Sequence, residues 1–256
     1  MSGDLLPNLH GEQSGLYDCI VVGAGAIGLG AGYQLAKAGH RTLLLEQFPL
    51  PHSRGSSCGF SRMYRNAYAE EHHMQMVGEI LQMWEELERE TNTELHRKTG
   101  LLIMNGVDKD LSTYRESKQN LIENNMPCED LSMTELKSRF PLMSYPDKYK
   151  ILIDPEAGFL IANKCLHQLQ SMFAKYGGQL HDSEKVVKIE PGQIVAVHTS
   201  KGRTYRAPSL VLTAGPWAAK LLKPLGLDLP LKVWRINVCY FKEKRTGSYK
   251  DYPNDV

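Results

Sequence analysis

The residues whose types and spacing suggest chemistry are Gly23, Gly25 and Gly28, then Glu46, then a thiol and two arginines in SSCGFSRMYR (56–65). A Gly-x-Gly-x-x-Gly run carries weight only between a strand and a helix, which is its setting here. Gly23 permits a tight turn, Gly25 lets a diphosphate approach the backbone, and Gly28 lets the helix pack on the sheet. With Ala26 and Ile27 they open a helix whose unpaired amides and partial positive charge suit an anion. Glu46 closes the next strand, 18 residues past Gly28, where a carboxylate accepts hydrogen bonds from a ribose and repels a 2′-phosphate. These features predict a bound dinucleotide.

NAD and FAD both use such a loop, and two later features favour FAD. One is a hairpin followed by an apolar strand ending Thr213-Ala214-Gly215, placed where flavoproteins of the nucleotide-disulfide-reductase type return to the cofactor. The other is the serine-rich, arginine-bearing loop after Glu46, suited to a long ligand's diphosphate and ribityl chain. A Rossmann dehydrogenase using NAD is the disfavoured reading.

The elements that must position these residues follow from periodicity. Residues 17–22 are a short apolar run rich in β-branched side chains, a buried-strand signal. Helix formers continue to Ala38, with Gly39 where a helix should end, and a second strand follows at Arg41–Glu46. Strand, glycine turn, helix and strand make a βαβ unit with a parallel pair. A helix is expected over 71–90 with Met76, Ile80, Trp84 and Leu87 as its core face. His72 and His73, being adjacent, should point to different sides of that helix, which argues against a metal role. Thr99–Asn105 reads as a strand, and Ser132 with Glu135 as a capping box ahead of a short helix stopped by Pro141. A further helix over 161–176 puts Leu166, Leu169 and Phe173 on one face, with Gly177-Gly178 ending it. Next come a strand at Glu184–Ile189, hairpin turns at Pro191-Gly192 and Lys201-Gly202, and the strand 210–215. LKVWRINVCYF (231–241) alternates as a strand with Trp234, Ile236, Val238 and Tyr240 on one face.

Bulk composition narrows the partners. The chain has 256 residues, 42% apolar and 23% charged, which is ordinary for a globular protein able to bury a core. Thirty Lys and Arg against 29 Asp and Glu leave +1, without a sustained basic run, so no nucleic-acid partner is expected. Cys19, Cys58, Cys128, Cys165 and Cys239 are odd in number and lack CxxC spacing, which suits a reducing compartment rather than a disulfide framework or a structural zinc. Neither a signal peptide nor the roughly 20-residue apolar stretch of a membrane span is legible, so the expectation is an intracellular chain without a membrane partner.

Taken together, LLLEQFPLPHSRGSSCGFSRMYRNAY, KTGLLIMN, EKVVKIEPG, LVLTAGPW and LLKPLGL resemble the monomeric sarcosine oxidase and peroxisomal sarcosine/L-pipecolate oxidase group of FAD-dependent amine oxidases, nearest its pipecolate branch. The resemblance spans about 17–250. It implies an α/β fold: a discontinuous Rossmann-like FAD-binding domain (15–95 and 158–225) and an incomplete antiparallel-sheet substrate domain (96–157 and 226–256). It implies oxidation of a secondary amino acid (sarcosine, L-pipecolate, with L-proline a further candidate) to an imine, dioxygen being reduced to hydrogen peroxide. A monomer located in the peroxisome is implied, although the chain ends in Asn254-Asp255-Val256 rather than an SKL-type address, and a cytoplasmic location is the alternative.

Carried over by position, Arg65 aligns with the arginine that pairs with the substrate carboxylate, a role its fork geometry suits. Arg62 aligns with the arginine against the flavin ring, where positive charge favours the reduced form. These two are the catalytic candidates. Ser57 and Ser61 align with cofactor-contacting positions, and Val186 with a backbone contact to adenine. The cofactor-binding set is then Gly23, Gly25, Ala26, Ile27, Gly28, Glu46, Gln47, Arg54, Ser57, Cys58, Ser61, Arg62, Val186, Ala214, Gly215 and Trp217.

Two departures from the family stand out. Cys58 replaces a usual histidine; a thiol is smaller and a weaker donor, and it could pack inertly, tune the flavin or react with it, inert packing being favoured. Beyond YFKEKRTGSYKDYPNDV the family continues with more substrate sheet, an oxygen-activating lysine, a flavin-linking cysteine and a glycine-rich flavin segment. The expectation is therefore a fragment, a shortened variant or an incomplete coding sequence, with weak or no oxidase activity and no covalent flavin; a catalytically inactive flavin-binding module is the alternative reading.

Overall fold

Residues 19–45 form strand, helix and strand in the predicted order. The computed structural model describes residues 16–106, 111–143, 145–239, 242, 244, 246 and 247. Its strands begin with β1 (Cys19–Val22), β2 (Thr42–Leu45), β3 (Arg62–Tyr64), β4 (His96–Lys98), β5 (Leu101–Asn105) and β6 (Glu129–Leu131). Then follow β7 (Lys150–Asp154), β8 (Gly158–Leu160), β9 (Gln179–His181), β10 (Val186–Glu190), β11 (Val195–Thr199), β12 (Thr204–Ala207) and β13 (Ser209–Leu212). The helices are α1 (Ala26–Lys37), α2 (Glu71–Thr91), α3 (Ser112–Glu123), α4 (Met133–Arg139), α5 (Ala162–Lys175) and the short α6 (Ala218–Leu222). Among the described residues no helix is long and apolar enough to cross a membrane.

The chain divides into two compact units, Met1–Gly59 with Ala162–Arg235 and Phe60–Ile161 with Ile236–Val256. The first is built on a parallel sheet of order β13-β1-β2-β9. All four residues of β1 and of β2 are buried, as a parallel sheet covered on both faces requires. Ile20, Val22, Leu43 and Leu45 share one face and pack with Val186, Ile189, Val197 and Ala207 of the antiparallel sheet β10-β11-β12. Each fully buried Ile or Leu in this layer is worth about 1.5–3 kcal/mol. Leu44 points the other way, to α1 and α5, where Gly32 lets the Phe173 ring approach. The expected hairpins at Pro191-Gly192 and Lys201-Gly202 join β10 to β11 and β11 to β12.

Helix α1 stops where its glycine sits. Ala38 caps it, and Gly39 follows at φ 88°. The Gly39 amide donates to the Ala36 carbonyl and the His40 amide to that of Leu35, a pair of bonds that satisfies carbonyls otherwise left open. Burial pushes the Cys19 thiol up to about 11, and as a neutral apolar side chain it belongs to this core.

The second unit holds two three-stranded antiparallel sheets, β3-β8-β4 and β5-β7-β6. Strand β7 is buried on both sides. Ile151 and Ile153 join Leu131, Leu136 and Phe140, while Leu152 joins Ala67, Met74 and Leu121. The capping box at α4 forms in both directions: the Glu135 amide donates to Ser132 Oγ at 3.2 Å and the Ser132 amide to Glu135 Oε2 at 2.8 Å. Strand β3 is hydrogen-bonded to β8, and β8 to β4, which ties residues 62–64 and 96–98 to this unit.

Three expectations need correcting. On α2, Met76 and Ile80 are 48% and 44% exposed, and the buried residues are Met74, Val77 and Leu87. The helix carries two apolar stripes of equal period, so pattern alone cannot choose between them; the contact of Met74 with Ala67, Leu121 and Leu152 does. His72 and His73 do not diverge: their ring centroids are 4.1 Å apart in the first turn of the helix. Residues 231–239 form no strand, and Trp234, Ile236 and Val238 are 72%, 80% and 61% exposed. Alternation needs a neighbouring strand to become sheet, and none among the described residues pairs with this segment. Tyr240 lies outside the described residues.

Candidate cofactor-binding site

The glycine turn is assembled by steric necessity. Gly23 leaves β1 at φ 108°, and its amide donates to the Leu45 carbonyl at 2.8 Å. A methyl group on Gly23 would lie 2.5 Å from the Thr213 carbonyl oxygen, and one on Gly28 would lie 1.9 Å from the Gly23 carbonyl oxygen. Neither contact is possible for a side-chain carbon, so both positions demand glycine. Thr213 closes the turn from the far end of the sequence. Its amide donates to Val22 at 2.9 Å, and its hydroxyl lies 3.0 Å from the Val22 and 3.1 Å from the Gly23 carbonyl oxygens. Thr213 was missing from the sequence-based set although its neighbours Ala214 and Gly215 were in it; its side chain turns inward to the glycines.

Gly25 is different in kind. It is extended, caps α1 without a side chain, and a methyl there would meet only Ser57 Oγ, at 3.1 Å, among the described residues. The space a methyl would fill lies at the helix N-terminus, where a diphosphate has to approach the backbone. Ser57 Oγ accepts the Ala26 amide at 2.9 Å and so borders the same place. Ile27, in the first turn, is 75% exposed, an uncovered apolar side chain beside this opening. The residues present fit the diphosphate of a dinucleotide.

Glu46 is buried, 6% exposed, at the end of β2. Oε2 accepts the Ala24 amide at 2.9 Å, and Oε1 accepts the Phe48 amide at 3.0 Å. The carboxylate therefore props the glycine turn, and each oxygen has a second lone pair for a ribose hydroxyl. Gln47 beside it is half-buried. The following loop packs around Phe48, whose ring centroid is 5.3 Å from that of Trp217 and 5.3 Å from that of His52, with the Arg54 guanidinium 4.8 Å away. Arg54 and Trp217 are thus brought together through Phe48, which the sequence reading passed over. The Cys58 thiol lies 3.6 Å from each of the Arg54 and Gly55 carbonyl oxygens, within reach of donating to either. Val186 is 7% exposed with its side chain in the core, leaving its backbone for any contact; a bulge interrupts the ladder between Val186 and Lys188.

Ser61, Arg62 and Arg65 belong to the second unit. Arg62 and Tyr64 alternate with exposed Met63 on β3 and so share a face. An Arg62 terminal nitrogen donates to the Ser61 carbonyl at 2.6 Å. Arg65 donates its Nε–H to the Ala67 carbonyl at 3.2 Å and lays its guanidinium 4.6 Å from the Tyr68 ring centroid. The edge formed by its two terminal nitrogens is the part suited to a carboxylate. Burial, then the charges of Glu156, Asp154, Glu88 and Glu85, push the Tyr64 phenol up, which keeps it a neutral donor.

Two residues that no local motif marks hold the arginine loop. Asp154 is fully buried, and its Oδ2 accepts the amides of Asn66 at 2.6 Å and Ala67 at 3.1 Å. Asn120 donates to the carbonyls of Tyr68 at 3.0 Å and Ala69 at 2.7 Å. Their sequence separation from the loop, 88 and 52 residues for the first-named contacts, is why pattern reading missed them.

Comparison with known proteins agrees with this geometry. The FAD dependent oxidoreductase family, DAO, matches residues 18–253. The chain is 47% identical over 237 residues to the peroxisomal sarcosine oxidase of Homo sapiens, covering 93% of this chain and 60% of that one. It is 32% identical over 243 residues to the monomeric sarcosine oxidase of Bacillus sp. (strain B-0618), covering 94% and 60%. The chain thus spans about 60% of the length of these curated relatives. Among solved structures it resembles NikD, described as an unusual amino acid oxidase essential for nikkomycin biosynthesis, with a TM-score of 0.75 and 29% identity over 83% of this chain and 55% of that one. The glycine oxidase of Geobacillus kaustophilus shares the fold at a TM-score of 0.73 and 22% identity, covering 84% and 60%. A glycine turn that only glycine can form, a buried carboxylate at the end of β2 and a family match across nearly the whole chain converge: the chain belongs to the DAO family of FAD dependent oxidoreductases.

Proposed function

We propose that this chain forms the FAD-binding part, and some of the substrate-binding part, of an oxidase acting on a small secondary amino acid such as sarcosine, L-pipecolate or L-proline. The observation that carries the proposal is the opening at Gly25, bordered by Ser57 and the start of α1, with Glu46 buried beside it. In this reading Gly25 and Ala26 face the diphosphate, Glu46 the ribose, and Val186 the adenine through its backbone. The discontinuous FAD-binding domain corresponds chiefly to the first unit.

When bound, the flavin would supply a hydride acceptor for the C–H next to the amine, with dioxygen as the final oxidant and hydrogen peroxide as its product. The chain's own residues bind and orient. Arg65 offers two parallel N–H groups to the substrate carboxylate, with Nε already tied to Ala67 so that the guanidinium plane is fixed. By the family resemblance, Arg62 would supply the positive charge that favours the reduced flavin. Tyr64 adds a neutral donor on the Arg62 face of β3. The relatives named peroxisomal support a peroxisomal location, and the name monomeric sarcosine oxidase supports a monomer.

Purified chain should be yellow and release FAD on denaturation, and sarcosine, L-pipecolate and L-proline should be tried as sources of peroxide in the full-length protein. A colourless chain that takes up NAD and refuses FAD overturns the proposal. Tight FAD with no peroxide from any amino acid would make the protein a flavin-binding module instead.

A further inference from the structure

So far His52 has served only as a ring packed against Phe48, yet its Nε2 is aimed at Glu46. Its Nδ1 accepts the Arg54 amide at 3.1 Å, so the neutral imidazole carries its proton on Nε2. Nε2 is buried without a completed hydrogen bond, and the atom it faces is Glu46 Oε1, 3.5 Å away. The two side chains are 18% and 7% exposed. A donor in that position gains from any small rotation of the carboxylate toward it.

The loop that carries His52 is firmly placed. The Leu50 amide donates to Asp182 Oδ2 at 2.7 Å, and the Ser183 amide donates to the Phe48 carbonyl at 3.2 Å, strapping the loop to the end of β9. The imidazole stands edge-on to Phe48, with 5.3 Å between centroids and 77° between planes. The loop therefore presents the Nε2–H to Glu46 from a fixed side.

We propose that His52 is a positioning residue for the ribose-binding carboxylate. The Ala24 amide grips Oε2, and the Phe48 amide together with His52 Nε2–H grips Oε1, which stops the carboxylate from rotating and turns its remaining lone pairs toward a ribose diol. His52 acts through Glu46 and does not touch the cofactor. This rests on the reading that the chain binds FAD.

The test is a double-mutant cycle on FAD affinity, read from the quenching of flavin fluorescence as chain is added. The variants are His52→Phe, His52→Gln, Glu46→Gln and the double variant Glu46→Gln/His52→Phe. His52→Phe keeps a ring against Phe48 and removes the donor; it should weaken FAD binding about tenfold, the scale of a lost hydrogen bond to a charged group. His52→Gln keeps an N–H near the same place and should stay within about twofold of wild type. In the Glu46→Gln background, where the acceptor is no longer charged, His52→Phe should cost only about twofold or less. Full affinity in His52→Phe, or the same loss in both backgrounds, overturns the proposal. If His52→Phe melts early without cofactor, His52→Leu takes its place, and the comparison of backgrounds decides in the same way. Wild-type chain that takes up no FAD at all would sink the FAD reading itself, an outcome distinct from a binding wild type matched by its His52 variants.

Discussion

In the glycine turn, Gly23, Gly28 and Thr213 touch so closely that one added methyl would lie 1.9–2.5 Å from a backbone oxygen. At the arginine strand, Arg62 and Arg65 rest on neighbouring carbonyls at 2.6 and 3.2 Å, and rigidity comes from Asp154 and Asn120 gripping residues 66–69. The first region is specified by what cannot fit and the second by what must be bonded. A site of the first kind is brittle to substitution within it. One of the second kind is brittle to the loss of a distant buried partner.

Four measurements bear on that contrast, from the largest expected effect to the smallest. Gly28→Ala should cost about 3 kcal/mol or more, since backbone must move to admit the methyl; a thermal melt within a few degrees of wild type would show the turn to be pliant. Arg65→Ala, made in the full-length protein, should raise the Michaelis constant for the amino acid roughly 30-fold or more, the scale of truncating a hydrogen-bonded charge partner, while the melt stays near that of wild type. An unchanged constant removes Arg65 from the carboxylate site. Asp154→Asn should cost about 1–3 kcal/mol by leaving a buried amide without its acceptor. It should also weaken amino-acid binding and spare FAD affinity, and loss of FAD affinity instead would break the separation drawn above.

The smallest effect concerns pH and the sheet that backs the cofactor unit. Glu184 is 1% exposed; burial acts to raise its pKa, but the Thr199 hydroxyl and the charges of Arg203 and Lys201 lower it by more. Its folded pKa is therefore below the unfolded one, so the folded chain binds fewer protons. The stabilisation is complete above the ordinary value of 4.5 and is lost as pH falls through the folded value. Urea midpoints of wild type and Glu184→Gln should converge as pH is lowered through that range. A gap that widens in acid would reverse the assignment.

Legibility from sequence followed the same division. The Gly-x-Gly-x-x-Gly turn, the ends of α1 and α4 and the buried β1 and β2 were readable, because each depends on steric or capping rules satisfied within a few residues. The core face of α2 was not, because Met76 and Ile80 repeat with the same period as Met74 and Val77. The strand expected at 231–241 was misread over 231–239 for a related reason: alternation describes one side of a pairing and says nothing about whether a neighbour exists. Arg62 and Arg65 drew notice by their spacing after the glycine turn, but their separate roles came only from family resemblance, since an arginine in a loop is by itself an ordinary surface residue.

What the sequence alone determined is the dinucleotide-binding unit: a strand, a turn open only to glycine, a helix, and an acid at the end of the next strand. Tertiary structure decided what holds that unit and the arginines in place. Thr213 lies 190 residues from Gly23, and Asp154 lies 88 from Asn66. His52 aims a buried nitrogen at Glu46 across a folded-back loop. Local patterns arise from forces acting over one or two turns of chain, whereas these partners meet only after the chain has folded, when each buried polar group must find a partner wherever the fold supplies one.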